Sequence, residues 1–321
     1  MTMCGEGFEQ FEDDIAVLVG LEDAGSRLDI YCYNTITPEI TSRNYAQRLI
    51  KLGNITVNGK MLRTNYKVHA GDMIRCILPP PENLSILPEN LPLDIVYEDQ
   101  DLLVINKARG MVVHPAPGNY SGTLVNALLY HCTDLSDING VIRPGIVHRI
   151  DKDTTGLLAV AKNNRAHLYL SAQLKNHDMK REYIAVTEGV MRDDRGTIDL
   201  PPGRHPTDRK KMAVRAESGR EAITHFTVLE RLKGHTLVVC ELETGRTHQI
   251  RAHLSHIGYP IVGDPLYGKK ETHGMTGQAL HARKLTFVHP SSGQSVSFEA
   301  APPSDFTRLV SGLSDSVSFT I

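Results

Sequence analysis

Gly145-Ile-Val-His-Arg-Ile-Asp-Lys-Asp-Thr-Thr-Gly-Leu-Leu-Ala-Val-Ala-Lys162 sets His148, Arg149, Asp151, Lys152 and Asp153 between two apolar runs, Ile146-Val147 and Leu157 to Ala161. The second run has the length and composition of a short buried strand. The first leads into a charged turn that closes at Gly156. Charge enclosed between buried segments is costly unless it is paired or does chemistry. The charged residues of this turn are therefore candidates for pairing or for chemistry, although an Asp such as Asp151, read alone, is more often a cap or an Asx-turn residue.

Outward from this stretch, residues from about 92 read as strands with interspersed helices. Asp94 to Tyr97 and Leu102 to Asn106 form a hairpin pattern, as do His225 to Leu232 and His235 to Glu243, and Leu280 to Val288 with Ser295 to Phe298. Helical patterns cover Gly122 to Tyr130, Asn164 to Asn176 and Thr247 to His256, the last with Ile250, Leu254 and Ile257 on one face and Gly258 as its stop. Many hairpins in mixed order predict an α+β fold, not a doubly wound one. Residues 27–79 read helix, helix, strand, turn, strand, a small α/β module. Ser42 is the expected N-cap of its second helix, and Asn58-Gly59 its tight turn. Residues 1–26 form an acidic extension or short strand, 80–91 a linker marked by Pro79-Pro-Pro-Glu-Asn83, and 92–321 the main domain.

Charge is unevenly spread. The chain carries −2 overall, but residues 1–26 hold seven acids and no Lys or Arg, while 27–79 hold eight bases and three acids. A basic module behind an acidic start fits a phosphate-binding surface as well as a solvated one. The acidic start also argues against a signal peptide. The run Ile15 to Leu21 is too short to span a bilayer. Five scattered cysteines without a C-x-x-C suit a reducing cytoplasm and indicate neither disulfides nor a zinc ribbon.

Two further segments share the logic of Asp151. Lys180-Arg-Glu-Tyr183-Ile-Ala-Val opens a strand with an aromatic residue behind two bases. Gly245-Arg-Thr-His-Gln-Ile-Arg-Ala-His-Leu254 places Arg246 at a helix start. An Arg forked onto a carboxylate keeps it ionised, and its rigid guanidinium suits that role better than Lys.

Together these segments resemble the motifs of RluA-type pseudouridine synthases, whose first motif reads His-Arg-Leu-Asp-x-x-Thr-Ser-Gly. The resemblance implies a catalytic domain with a mixed, mainly antiparallel sheet. It implies that Asp151 is the essential catalytic residue, that Tyr183 stacks on a flipped uracil and helps move a proton, and that Arg246 pairs with Asp151. It implies that Arg149 enters the duplex to fill the space the base leaves, with His148, Thr155 and Lys180 also facing RNA. Val112 to Ala116, Gly122 to Leu128, Pro260 to Gly268 and Leu280 to Leu285 match as well. Arg204-His-Pro-Thr-Asp-Arg-Lys-Lys-Met-Ala-Val214 is similar to the RluD-like branch, which modifies large-subunit ribosomal RNA. Residues 27–79 resemble the S4 RNA-binding domain, implying backbone contacts through Arg43, Arg48, Lys51 and Lys60. The implied enzyme needs no metal, nucleotide or redox cofactor; its oligomeric state stays open, with a monomer as the default expectation. Ile150, Thr155 and the missing Pro after Lys107 depart from the pattern without touching the chemistry.

A rival of another class is a non-catalytic S4-bearing RNA-binding or ribosome-assembly protein, which would not need Asp151, Tyr183 and Arg246 together. Asp153-Thr-Thr-Gly156 has one residue too many for an aspartic-protease motif, and no second copy exists. His248, His253 and His256 lack His-x-x-x-His spacing with an adjacent Glu, and read as helix and interface residues.

Overall fold

The computed structural model describes residues 14–36, 40, 43–78, 86–116, 118–132, 135–136, 144–205, 208, 211–214, 219–269 and 271–314. The chain divides into two compact units, with the boundary between Asn83 and Leu84. Ser42 and the run Pro79 to Asn83 lie outside the described residues.

In the first unit, β1 (Asp14–Leu18), α1 (Leu28–Thr35), α2 (Arg43–Leu52), β2 (Ile55–Val57) and β3 (Met73–Ile77) build an antiparallel sheet ordered β1-β3-β2 with two helices. α2 buries Ala46, Leu49 and Ile50, one face at helical spacing, against Leu28, Tyr31 and Cys32 of α1. After β2, Asn58 and Gly59 both take positive φ (51° and 75°), the conformation a type I′ turn demands. The unit begins earlier than residue 27. All five residues of β1 pair with β3, and Val19 is buried in the core. The short-strand reading of the acidic segment therefore applies to 14–18, which belongs to the module.

The second unit runs β4 (Ile95–Glu98), β5 (Leu102–Lys107), α3 (Leu124–His131), β6 (Thr155–Ala161), α4 (Asn164–Lys175), β7 (Lys180–Glu188), β8 (Arg195–Asp199), β9 (Pro202–Arg204), β10 (Met212–Val214), β11 (Ile223–Leu232), β12 (His235–Leu242), α5 (Gln249–His256), β13 (Leu280–Val288), β14 (Ser295–Glu299) and α6 (Ser304–Leu313). One sheet carries the order β4-β5-β6-β13-β7-β12-β11-β8, with β14 on β13; β9 and β10 pair separately. The fold is α+β with a mixed, mainly antiparallel sheet. All its pairings between described strands are antiparallel except β6 with β13.

β6 explains its own sequence. All seven of its residues are buried. Leu158 and Val160 pack on one face with α3, while Leu157, Ala159 and Ala161 pack on the other with α4 and Phe287. A strand covered on both faces reads as a continuous apolar run.

The β6–β13 junction positions the site. The two strands pair only at Thr155↔His281 and Gly156↔Ala282. Beyond that, β6's edge is taken by residues 145–148: Gly145 O accepts from Ala161 N (2.8 Å), and Ile146 bridges Val160. The charged turn thus reverses the chain at the point where the sheet parts. Gly156, at φ 107°, lies so close to the Ala282 backbone that a Cβ would collide with it.

Candidate active site

The turn from Arg149 to Thr154 is held by its carbonyls. Thr154 N donates to Asp151 O (3.1 Å), Gly110 N to Lys152 O (3.0 Å), and Arg109 to Asp153 O (2.7 Å). Lys107, 1 % exposed, donates to Ala108 O, Met111 O and Lys152 O at 2.8–3.0 Å. Burial pushes its ammonium down to about 7, against the pull of Asp153 and Asp151. A reactive side chain on a loop pinned in this way is preorganised.

Asp151 faces a slot of about 50 Å³ lined by Tyr183, Arg181, Arg246, His248 and Arg251. This is room for a few waters, not for a nucleobase. Arg251, on α5, donates to Asp151 Oδ2 (2.9 Å) and grips Asp264 through Nε (2.7 Å) and a second guanidinium nitrogen (2.9 Å). Burial opposes both charges of the Arg251–Asp264 pair. Their mutual hydrogen bonds and attraction outweigh it, holding the carboxyl below its usual range and the guanidinium above its own. Asp264 also accepts from Leu266 N and Tyr267 N, and the Tyr267 ring lies 5.2 Å beneath the guanidinium. Tyr267 OH accepts from Met212 N (2.7 Å) and contacts His248 Nδ1 (3.1 Å). Tyr183, on β7, is 5 % exposed, and burial pushes its phenol up.

Beside the slot lies a groove of about 870 Å³ lined by His114, Arg149, Lys175, His177, Arg181 and Arg246 among others. Arg181 borders both spaces. It is 7 % exposed, donates to Glu243 O (3.2 Å), and its Nε makes no hydrogen bond. A buried guanidinium whose only hydrogen bond among the described residues is to a carbonyl is a ready donor for an anion.

The chain as a whole is similar to known proteins. Residues 101–256 match the family model for RNA pseudouridylate synthase, and residues 26–74 match the S4 domain. The chain is 52 % identical over 301 residues to the uncharacterized RNA pseudouridine synthase YlyB of Bacillus subtilis, covering 94 % of this chain and 98 % of that one. It is 45 % identical over 309 residues to the ribosomal large subunit pseudouridine synthase D of Pseudomonas aeruginosa, covering 92 % and 94 %. Among solved structures, human RNA pseudouridylate synthase domain containing 1 aligns with a TM-score of 0.55 at 27 % identity, over 67 % of this chain and 85 % of that one. The chain belongs to the RNA pseudouridylate synthase family. It is an RNA pseudouridine synthase carrying an S4 domain.

Several expected roles fall on different atoms in this synthase. Asp151 pairs with Arg251, not Arg246. α5 starts at Gln249, two residues later than expected, after His248 in the left-handed region at φ 56°. Arg246 therefore precedes the helix, exposed at the lip of the slot, with Nε on Glu221 O (3.0 Å). Thr155 is buried and bonded to His281 Nδ1 (2.8 Å) at the β6–β13 junction. His148 Nε2 accepts from Ala159 N (3.0 Å), extending the 145–148 edge by one rung, and burial pushes the imidazole down to about 3. Lys180 is exposed and reaches His177 O (3.0 Å). Arg149 is exposed on the groove, with a guanidinium nitrogen 3.3 Å from His114 Nε2.

In the S4 unit, Arg43 donates to Asp29 (2.9 Å) together with Arg27 (3.0 and 3.2 Å) and Gln47 (2.5 Å). It thus compensates a fully buried carboxylate, which these donors hold ionised against the cost of burial. Arg48, Lys51 and Lys60 are exposed, and Lys51 lines a shallow depression with Arg27, Arg63, Thr64 and Asn65. Arg251, Asp264, Lys107 and Arg181 were absent from the sequence-based candidates. Arg251 lies inside the Gly245–Leu254 motif, and the observed start of α5 at Gln249 separates its position from that of Arg246.

Proposed function

We propose that this synthase isomerises specific uridines in large-subunit ribosomal RNA, as a cytoplasmic monomer. Ribosomal large subunit pseudouridine synthases D are similar over nearly the whole chain. The observation that carries the site assignment is Asp151, held through Oδ2 by Arg251, in one slot with Tyr183 and open to a cationic groove.

In this reading the RNA backbone lies along the groove against Arg149, Lys175 and Arg246, and Arg181 meets a phosphate flanking the target. The uridine leaves its stack, and Arg149 offsets part of the extrusion cost, a few kcal/mol, by filling the gap. The slot opens to admit the base against Tyr183. Asp151 Oδ1 meets the nucleoside while Arg251 keeps the carboxylate oriented. The N1–C1′ bond breaks, the uracil turns, and C5 bonds to C1′. The hydrogen on C5 is released and N1 takes a proton, so the reaction balances as an isomerisation. The S4 unit adds backbone contacts through Arg48, Lys51 and Lys60.

The test is tritium release from large-subunit ribosomal RNA transcribed with 5-tritiated uridine. Wild-type protein should release tritium. Asp151→Asn should bind RNA with affinity within about threefold and release essentially none. Appreciable turnover by Asp151→Asn would refute the catalytic assignment. Release only from transfer RNA would refute the substrate.

A further inference from the structure

Glu188 ends β7, His235 opens the neighbouring β12, and His273 sits in the turn before β13. Their ligand atoms lie within 4.8 Å of one another, away from the Asp151 slot at the other end of β7. We propose that these three side chains form a binding site for a single divalent transition-metal ion of the zinc type.

Four observations point to a ligand. His235 is 8 % exposed and its Nδ1 contacts Lys233 O (2.6 Å), so the proton sits on Nδ1 and the Nε2 lone pair points away from the backbone. That Nε2 makes no hydrogen bond. Glu188 is 5 % exposed, and its Oε1 makes none either. Two buried acceptor atoms on adjacent side chains, neither with a hydrogen-bond donor, are costly unless a cation or water reaches them.

The spacing agrees. His235 Nε2 stands 3.4 Å from Glu188 Oε2, long for a charge-assisted hydrogen bond. Zinc bonds of about 2.0–2.2 Å at tetrahedral angles put neighbouring ligand atoms about 3.4 Å apart. The His273 ring stands edge-on to His235, centroids 4.8 Å apart at 89°, on a backbone at φ 49°. A non-glycine residue in the left-handed region is strained unless a contact holds it. Imidazole, imidazole and carboxylate suit zinc better than calcium or magnesium, and a water completes the fourth position.

The other two clusters of similar composition are internally satisfied. His289 bonds Asp99 (2.7 Å) while Ser291 and Asn163 bond Asp101; His131 (2.8 Å) and Lys162 (2.9 Å) both bond Glu98. Among the described residues two charges compete at the proposed site: the Lys269 ammonium, 3.5 Å from Glu188 Oε2 on a largely exposed side chain, and the exposed Glu271 carboxylate, 3.8 Å from His273 Nδ1. Residues 275–278 of the same turn back the Asp151 loop, with Gln278 Nε2 on Thr154 (2.9 Å) and Gln278 O on Arg109 (2.9 Å). A metal would tie that turn to the sheet.

The experiment uses the full chain, stripped with chelator and titrated with zinc chloride by calorimetry, then with cobalt(II) followed by visible absorption. One ion per chain is expected, with the intense bands of four-coordinate cobalt and a raised melting temperature. His273→Ala, in an exposed turn, should weaken binding at least tenfold without unfolding the protein. Lys269→Met should tighten it by removing the competing cation. No binding by the wild type, or binding indifferent to both variants, overturns the proposal. Tritium release by the metal-free protein reports the isomerase separately, so failure of one reading is distinct from failure of the other.

Discussion

Arg251 carries two jobs through one guanidinium. It orients Asp151 and neutralises Asp264, and all three groups are at most 14 % exposed at the side chain. Removing it strands two carboxylates. Arg251→Met should therefore abolish turnover and destabilise the protein by about 3–5 kcal/mol, read from chemical denaturation. Arg246→Ala removes an exposed side chain bonded to one carbonyl. It should leave stability within about 0.5 kcal/mol and act mainly on KM or RNA affinity. If Arg246→Ala were the more destabilising of the two, the pairing described above would be wrong. The pair also marks the limit of reading at this scale. A guanidinium partner for Asp151 was legible in the motif, but two arginines five residues apart compete for it, and the start of α5 decides between them.

At the scale of elements, the β6–β13 junction is built on neutral histidines. His281 lies between Thr155 Oγ1 (2.8 Å) and Ala300 O (2.9 Å), which places its proton on Nε2 and makes Nδ1 an acceptor. Burial pushes it down to about 4, and His148, on the adjoining edge, down to about 3. Both folded values lie below the unfolded value of about 6.5. Between them the unfolded chain binds more protons, so stability is full above pH of about 6.5 and is lost as the pH falls toward 4. His281→Asn should flatten the fall in melting temperature across that window, with up to about 3 kcal/mol of pH dependence removed. An equally steep acid transition in the variant would place the titrating groups elsewhere. The hairpins and helices α3, α4 and α5 of this unit were legible because period-two and 3.6-residue patterns survive in them, whereas α6 was not read. The short strands β8, β9 and β10 were not, since three to five residues leave too little periodicity to see.

For the whole molecule, the net charge of −2 conceals two basic surfaces. One is the cationic groove beside the slot, the other the exposed bases of the S4 unit. If both meet phosphates, RNA affinity should fall steeply with salt. Replacing Lys51, Lys60 and Arg63 together by Gln should lower the slope of log K against log salt by about two to three, one per lost contact. The S4 core, built on apolar residues and the Asp29 cluster, should keep its melting transition. An unchanged slope would remove the S4 unit from the RNA interface.

Sequence alone determined the α+β class, the S4 module, Asp151 as the reactive carboxylate candidate and the RNA-directed chemistry its motifs resemble. These are local matters: apolar periodicity, turn chemistry and contiguous motifs survive in one dimension. Only the tertiary structure decided that Arg251 and not Arg246 pairs with Asp151, that Arg43 bonds Asp29, Thr155 bonds His281 and His148 accepts from Ala159 N, and that Asp264, 113 positions after Asp151, binds the same guanidinium. It also placed Glu188, His235 and His273 together across 86 positions of chain. Partners so far apart meet only when the sheet is assembled. Which of several like charges is buried, and on what, depends on that closure and on no pattern along the chain.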